Sequence, residues 1–226
     1  MRLRTGLPAP VDELLEHALR ILDAAGEYYG RLFDWSWGGG TVLALRHRHR
    51  HSRDIDIFVP DAQYLPYLSP RLSDDAELGA SDYEEAAECV KIIYPQGEVD
   101  FIACGTLTSP GVETVSLADR IITAETDVEI IAKKLHFRAT RFKPRDLFDL
   151  ALVLERSPGA QTALAPWLSA ARTELERVLD APNSAFIAAF EQIDIWTYRP
   201  TVQECVARVQ AALQGPDSHL VRNVSV

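Results

Sequence analysis

Gly38-Gly39-Gly40-Thr41 opens the stretch that decides how this chain reads. Val42-Leu43-Ala44-Leu45 follows, then the run Arg46-His47-Arg48-His49-Arg50-His51-Ser52-Arg53, then Asp54-Ile55-Asp56-Ile57-Phe58. With Val59, the last five residues alternate in the way of a β-strand, whose successive side chains face opposite sides. Asp54 and Asp56 share one side, and Ile55 and Ile57 anchor the other. Carboxylates two residues apart on a strand lie about 6–7 Å from each other. That suits a divalent cation, which takes hard oxygen ligands. The glycines upstream allow backbone N–H groups to approach phosphate closely, and a helix that follows them adds its N-terminal dipole. A phosphate cradle joined to a metal-binding pair points to nucleotidyl transfer.

The spacing carries more than the composition. Gly39-Gly40, thirteen residues, then Asp54-x-Asp56 resembles the signature of the nucleotidyltransferase superfamily that includes DNA polymerase beta. The fuller pattern of Gly39, Gly40, Thr41, His49, Arg50, Ser52, Asp54, Asp56 and Phe58 resembles a narrower group, the AbiEii/AbiGii toxin-type nucleotidyltransferases. A second block resembles that family's later motifs: Ile131-Ala132-Lys133-Lys134-Leu135-His136, Arg141, and Pro144-Arg145-Asp146-Leu147-Phe148-Asp149-Leu150. Two blocks in the right order make the resemblance specific. It covers residues 35–150, and the C-terminal third adds no diagnostic motif.

The resemblance implies an α+β fold. A mixed-sheet, polymerase beta-like nucleotidyltransferase domain over residues 1–125 would be followed by a helical C-terminal domain, residues 126–226, that completes the active-site cleft. It implies Mg²⁺, two ions, with Mn²⁺ as an alternative, and an NTP donor. It also implies an RNA acceptor, with tRNA the foremost candidate, and so inhibition of translation or growth. A cognate antitoxin protein is implied by family alone. Carried over residue by residue, the metal ligands are Asp54, Asp56 and Asp100, and Lys134 and Asp149 join them as catalytic residues. The nucleotide-binding set is Gly39, Gly40, Thr41, Arg50, Ser52, Lys134, Arg145 and Asp146.

Asp100 lies in Glu98-Val99-Asp100-Phe101-Ile102-Ala103-Cys104, an apolar-rich strand in which it shares a face with Glu98 and Ile102. Its apolar neighbours Val99 and Phe101 argue against a surface acid at a strand end. Three acids could hold two Mg²⁺ ions, one activating the attacking hydroxyl and one bridging the triphosphate. No general-base histidine is then required. A helix-borne lysine at 134 can neutralise triphosphate charge and assist pyrophosphate departure. Lys133, about 100° around the same helix, faces elsewhere. Asp146 and Asp149 share a helical face; they either hold Lys134 or Arg138 in place, contact nucleotide or acceptor, or simply favour the helix dipole.

His47, His49 and His51 would share a face in an extended chain, but no fourth zinc ligand is spaced for them. The interleaved arginines also oppose a cation there. Solvated loop basicity or phosphate contact is the expected role.

The net charge of −10 on 226 residues argues against coating a long duplex. Of the 23 basic residues, however, Arg46, Arg48, Arg50, Arg53, Lys133, Lys134, Arg138, Arg141, Lys143 and Arg145 sit in two short segments inside the motifs. A local basic groove on an acidic body suits a triphosphate and one nucleic-acid end. Cys89, Cys104 and Cys205 form neither a CxxC pair nor a disulfide framework and read as reduced, structural and cytosolic. No 18-residue apolar run and no apolar signal core are present, so no membrane role and a cytoplasmic location are expected. Two other readings keep most of the motifs: the same chemistry on a protein or small-molecule hydroxyl, and a non-catalytic module that binds nucleotide or a partner.

Along the chain, apolar spacing predicts a helix from Pro10 to Tyr29, a strand at 34–37, a short helix at 41–46 and a strand at 54–59. Residues 61–68 could be helical, and 74–88 read as acidic surface. Strands at 89–94 and 98–103 flank the turn Pro95-Gln96-Gly97, and 111–117 reads as a fifth strand. Beyond Leu117 the expectation is helical: 118–123, 128–139, 145–154, 160–180, 183–196 and 200–214, with a loose tail at 216–226.

Overall fold

Strand β2 (Ile55–Val59) keeps the alternation read from the sequence: Ile55, Ile57 and Val59 are buried while Asp56 and Phe58 are half-buried. This strand sits fourth in a seven-stranded mixed sheet of the computed structural model, which describes residues 5–29, 34–117 and 120–215. The chain divides into two compact units, Met1–Thr126 and Asp127–Val226.

In the first unit the other strands are β1 (Ser36–Gly38), β3 (Asp82–Ala86), β4 (Cys89–Tyr94), β5 (Gly97–Ala103), β6 (Val112–Leu117) and β7 (Arg120–Glu125). Their order is β3-β4-β5-β2-β1-β7-β6. β2 runs parallel to β5 and antiparallel to β1, and β1 runs parallel to β7; the outer pairs are antiparallel. One face of the central strands buries Ile55, Ile57, Val90, Ile92, Val99 and Phe101. Helix α1 (Ala9–Tyr29) packs on β2 and β5 and buries Leu14, Leu15, Ala18, Leu19, Leu22 and Ala25, the periodic set that predicts it. Each large apolar side chain so removed from water contributes about 1.5–3 kcal/mol. The same alternation leaves Asp56, Asp100 and Lys91 together on the other face.

Helix α2 (Gly39–His47) starts directly at the glycines and ends at Arg48, whose φ of 48° is left-handed. After β2, Asp61 caps a 3-10 turn (Ala62–Leu68), and Ser73 caps the short helix α3 (Asp74–Glu77). The acidic segment 74–88 is surface as expected apart from the buried Ala76, and part of it is the exposed edge strand β3.

The expected helix at 118–123 is overturned: β7 pairs with β6 from Leu117↔Arg120 to Val112↔Glu125, and with β1 at Trp37↔Ala124. Ile121, Ile122 and Thr123 are β-branched, which favours the pleated surface. Ile122 and Ala124 are buried while Ile121 is 75% exposed, the period-2 pattern that a helix lacks. Ala118 and Asp119 lie outside the described residues, as does the tail at 216–226.

The second unit is helical: α4 (Asp127–Arg138), α5 (Pro144–Arg156), α6 (Ala160–Leu179), α7 (Ser184–Glu191) and α8 (Val202–Gln214). Helix α5 is its centre, burying Leu147, Phe148, Leu150, Ala151, Leu152 and Val153 against α4, α6, α7 and α8. Pro144 occupies its first turn, where a missing N–H costs nothing. Asp146 reaches back to accept the Lys143 N–H at 3.1 Å.

Candidate active site

The glycines and the charged residues after them are neighbours in space. Gly39 has φ +72°, a conformation that L side chains rarely adopt, and a Cβ there would lie 1.8 Å from Asp56 Oδ2. A Cβ on Gly40 would lie 2.6 Å from Arg50 Nη2 and 3.2 Å from Ser52 Oγ. The turn must therefore be glycine so that Asp56, Arg50 and Ser52 can close over it. The Thr41 hydroxyl donates to the Asp54 carbonyl, tying the first turn of α2 to the start of β2. Thr41 is fully buried, and its hydroxyl serves the loop.

Arg50 is 5% exposed and its Nη1 donates to the His51 carbonyl at 3.1 Å. His49 is fully buried, so the solvated reading of the His47–His49–His51 run fails at its middle member. After Arg48 ends α2 the chain turns inward, and His49 and Arg50 become interior residues. Arg46 is also committed, to Glu113 at 2.6 Å and to the Glu125 carbonyl. In this segment Arg53 is exposed and makes no ion pair among the described residues.

Asp56 and Asp100 are direct register partners on the parallel strands β2 and β5, and Gly38 faces Asp56 from β1. Neighbouring strands run about 4.8 Å apart, so the two carboxylates share one small area. The Asp54 carboxylate, one step along, makes no hydrogen bond or ion pair with the described residues. Burial raises the Asp100 carboxyl above its ordinary range; the Lys91 ammonium works against this, and the charges of Glu98 and Asp54 add to it. The Cys89 thiol is pushed up to about 11 by burial and then by Asp100, with Lys91 opposing and Asp56 adding. The acids therefore share one local field.

Lys91 carries no signal of its own in the sequence. It faces Asp100 in register from β4, with Nζ 2.9 Å from Oδ1 and 3.1 Å from Oδ2, and it also donates to Glu98. Among the described residues no group of three or more His, Cys, Asp and Glu side chains is arranged to hold a metal. The Lys91 ammonium meanwhile occupies the Asp100 carboxylate. The donor chemistry still suits a hard cation: two adjacent carboxylates in register, a third without a partner, and a fold that already places a positive charge at Asp100.

The second unit gathers the other charged motif. Lys134 Nζ lies 2.8 Å from Asp146 Oδ1 and 2.9 Å from Asp149 Oδ2, and both acids are fully buried. Arg138 approaches Asp146 at 3.7 Å. Burial would raise the Asp146 carboxyl, but Lys134 and then Arg138 outweigh it and hold it below its ordinary range. Lys133 faces elsewhere, 3.6 Å from the buried Glu129 one turn back. Arg141 and Lys143 are exposed and Arg145 is half-buried; none of the three makes a side-chain ion pair among the described residues.

The sequence profile of the nucleotidyl transferase AbiEii toxin family, of type IV toxin–antitoxin systems, matches residues 35–214. The chain belongs to that family. It is a nucleotidyltransferase of the AbiEii toxin type, and both motif blocks fall inside the match. Solved structures share its fold. MenT4, a nucleotidyltransferase toxin from Mycobacterium tuberculosis H37Rv, superposes with a TM-score of 0.56 at 16% identity, covering 94% of this chain and 87% of that one. JHP933 from Helicobacter pylori gives 0.53 at 14% identity, covering 92% of each chain. No curated protein matches this AbiEii-type chain in sequence. No helix among the described residues is long and apolar enough to cross a membrane.

Proposed function

We propose that this AbiEii-type protein transfers a nucleotidyl group from an NTP to a hydroxyl of an RNA acceptor, tRNA foremost, in the cytoplasm, and is held in check by a cognate antitoxin. The observation that carries the reading is the pairing of Asp56 with Asp100 beside a glycine turn that Asp56 itself overhangs. Asp54, Asp56 and Asp100 would hold Mg²⁺, one or two ions, with Mn²⁺ as a substitute. Bound there, the metal would lower the pKa of the acceptor hydroxyl and neutralise the triphosphate.

The residues of the chain do the rest. Backbone N–H groups of Gly39, Gly40 and Thr41 at the start of α2 receive phosphate oxygens, and Arg50 and Ser52 fix that turn from above. The acceptor oxygen bonds to the α-phosphorus, the bond to the β-phosphate bridging oxygen breaks, and pyrophosphate leaves. The hydroxyl proton passes to the carboxylates and on to water. Lys134, Arg145, Asp146 and Asp149 are assigned to the nucleotide by family register. The Lys134 ammonium is shared by two buried acids, which favours a role for Asp146 and Asp149 in orienting it.

A second acceptor class has support of its own. Arg46, Lys133, Lys134 and Arg138 all lie within ion-pairing distance of carboxylates inside the protein. Fewer cations are left for a long RNA than the sequence implies, which favours a protein or small hydroxylated molecule. Labelled NTPs with total RNA, protein extract or small alcohols, each with and without Mg²⁺, separate the classes. Label retained on RNA by wild type and lost with Asp56→Ala supports the first reading. Label on protein or alcohol alone replaces it with the second.

A further inference from the structure

The Lys91 ammonium sits between two carboxylates on strand β5, two residues apart: it contacts both oxygens of Asp100, and it donates to Glu98. Its neighbours Val90 and Ile92 are buried on the opposite face, which fixes the direction in which the lysine projects. Lys91 and Asp100 are register partners, and Asp56 is the next partner in the same row across the sheet. A chain that assembles Asp54, Asp56 and Asp100 must offset their repulsion before any metal arrives, and this ammonium does so at Asp100.

Resting on the reading of these acids as metal ligands, we propose that Lys91 is a positioning residue. It holds the Asp100 carboxylate in the metal-free protein and passes wholly to Glu98 when a divalent cation arrives. A lysine suits such a transfer. Its charge is compact and its four-carbon stem is flexible, so the ammonium can turn from Asp100 to Glu98 with little movement of the strand. Arginine, with a planar fork, would lock onto Asp100 in two-point fashion. Glu98 is the more exposed of the two acids, 41% against 18%, and so is the natural resting place for the ammonium outside the row of metal ligands.

The consequence is competition between Lys91 and metal for one carboxylate. Mn²⁺ binding, read by electron paramagnetic resonance or calorimetry without nucleotide, measures it. Lys91→Met should bind Mn²⁺ about tenfold more tightly, about 1.4 kcal/mol. Lys91→Arg, which keeps the charge, should not tighten binding. Glu98→Gln, which removes the resting place, should weaken it severalfold, and it serves as the test should Lys91→Met not fold. In an Asp100→Asn background both effects should vanish, because the shared carboxylate is gone.

Mn²⁺ affinity equal to that of wild type in Lys91→Met or Glu98→Gln overturns this proposal and leaves the metal reading standing. Effects that persist in Asp100→Asn also overturn it, since they would then be long-range charge alone. Absence of Mn²⁺ binding in wild type, Lys91→Met and Lys91→Arg alike overturns the metal reading and this proposal with it.

Discussion

The Asp56 carboxylate lies directly over Gly39, so close that a methyl group on that glycine would sit 1.8 Å from Oδ2. The residue expected to bind metal and the residue expected to receive phosphate are thus in contact. Helix α2 and the short segment 48–54 fill the spacing between them in sequence and bring them together.

Gly39→Ala should therefore impair two things. The left-handed backbone at φ +72° costs about 1–3 kcal/mol for a residue with a side chain, and the new Cβ must displace Asp56. Transfer should fall far more than the folded fraction does. Melting curves and single-turnover transfer on the same preparation check this; a variant with the wild-type rate would remove the glycine turn from the site.

Asp54→Ala should abolish transfer without unfolding the protein. Its carboxylate has no hydrogen-bond or ion-pair partner among the described residues, so stability should stay within about 0.5 kcal/mol of wild type. Asp56→Ala should be equally inactive. NTP affinity by calorimetry should depend on Mg²⁺ in wild type, because three acids repel a bare triphosphate. Equal NTP affinity with and without Mg²⁺, or activity retained in either variant, would sink the metal assignment.

The glycine turn and the Asp54/Asp56 pair are legible in the sequence because they are local: alternation fixes which face the acids take, and the glycines leave room for what lies above them. Lys91 is not legible, since in its own strand it is only the polar member between Val90 and Ile92. Its meaning comes from register with Asp100, a pairing across strands that no single-strand pattern encodes. Strand β7 departs from the helical expectation because its pairing with β6 and β1 decides its state, and Ile121-Ile122-Thr123 carries the β-branched signal for it. Burial of His49 and Arg50 escapes the sequence for a similar reason: a basic run reads as solvated until the chain is seen to turn inward after Arg48.

Lys134 reads as catalytic in the sequence, and the structure gives it a second task that mutagenesis must separate. Lys134→Met leaves Asp146 and Asp149 buried without their ammonium, a loss that should cost about 3–5 kcal/mol. Adding Asp146→Asn and Asp149→Asn should restore most of the stability but not the transfer. The pH dependence follows from Asp146, whose carboxyl is held below its ordinary 3.8 in the folded chain. Below that value the unfolded chain binds the proton more readily, so this stabilisation is present above 3.8 and is lost as pH falls through the lower folded value. Acid melts of wild type and Asp146→Asn should differ in slope there. A Lys134→Met variant as stable as wild type would leave the lysine a purely chemical role.

The acceptor is tested through the cations that the fold leaves uncommitted. Arg141 and Lys143 are exposed and make no ion pair among the described residues, whereas Arg46, Lys133 and Lys134 are paired. If the acceptor is RNA, Arg141→Glu with Lys143→Glu should weaken RNA binding while Mg²⁺·NTP affinity stays at its wild-type value. Removing one cation from a phosphate should lower the steepness of log affinity against log salt by roughly 0.7–0.9. With so few free cations and a net charge of −10, the wild-type slope should be shallow, on the order of two to four. Filter binding across a salt series gives both numbers. Charge-reversed protein that still labels RNA at the wild-type rate would move the acceptor away from these residues, and a protein or small-molecule hydroxyl would then lead.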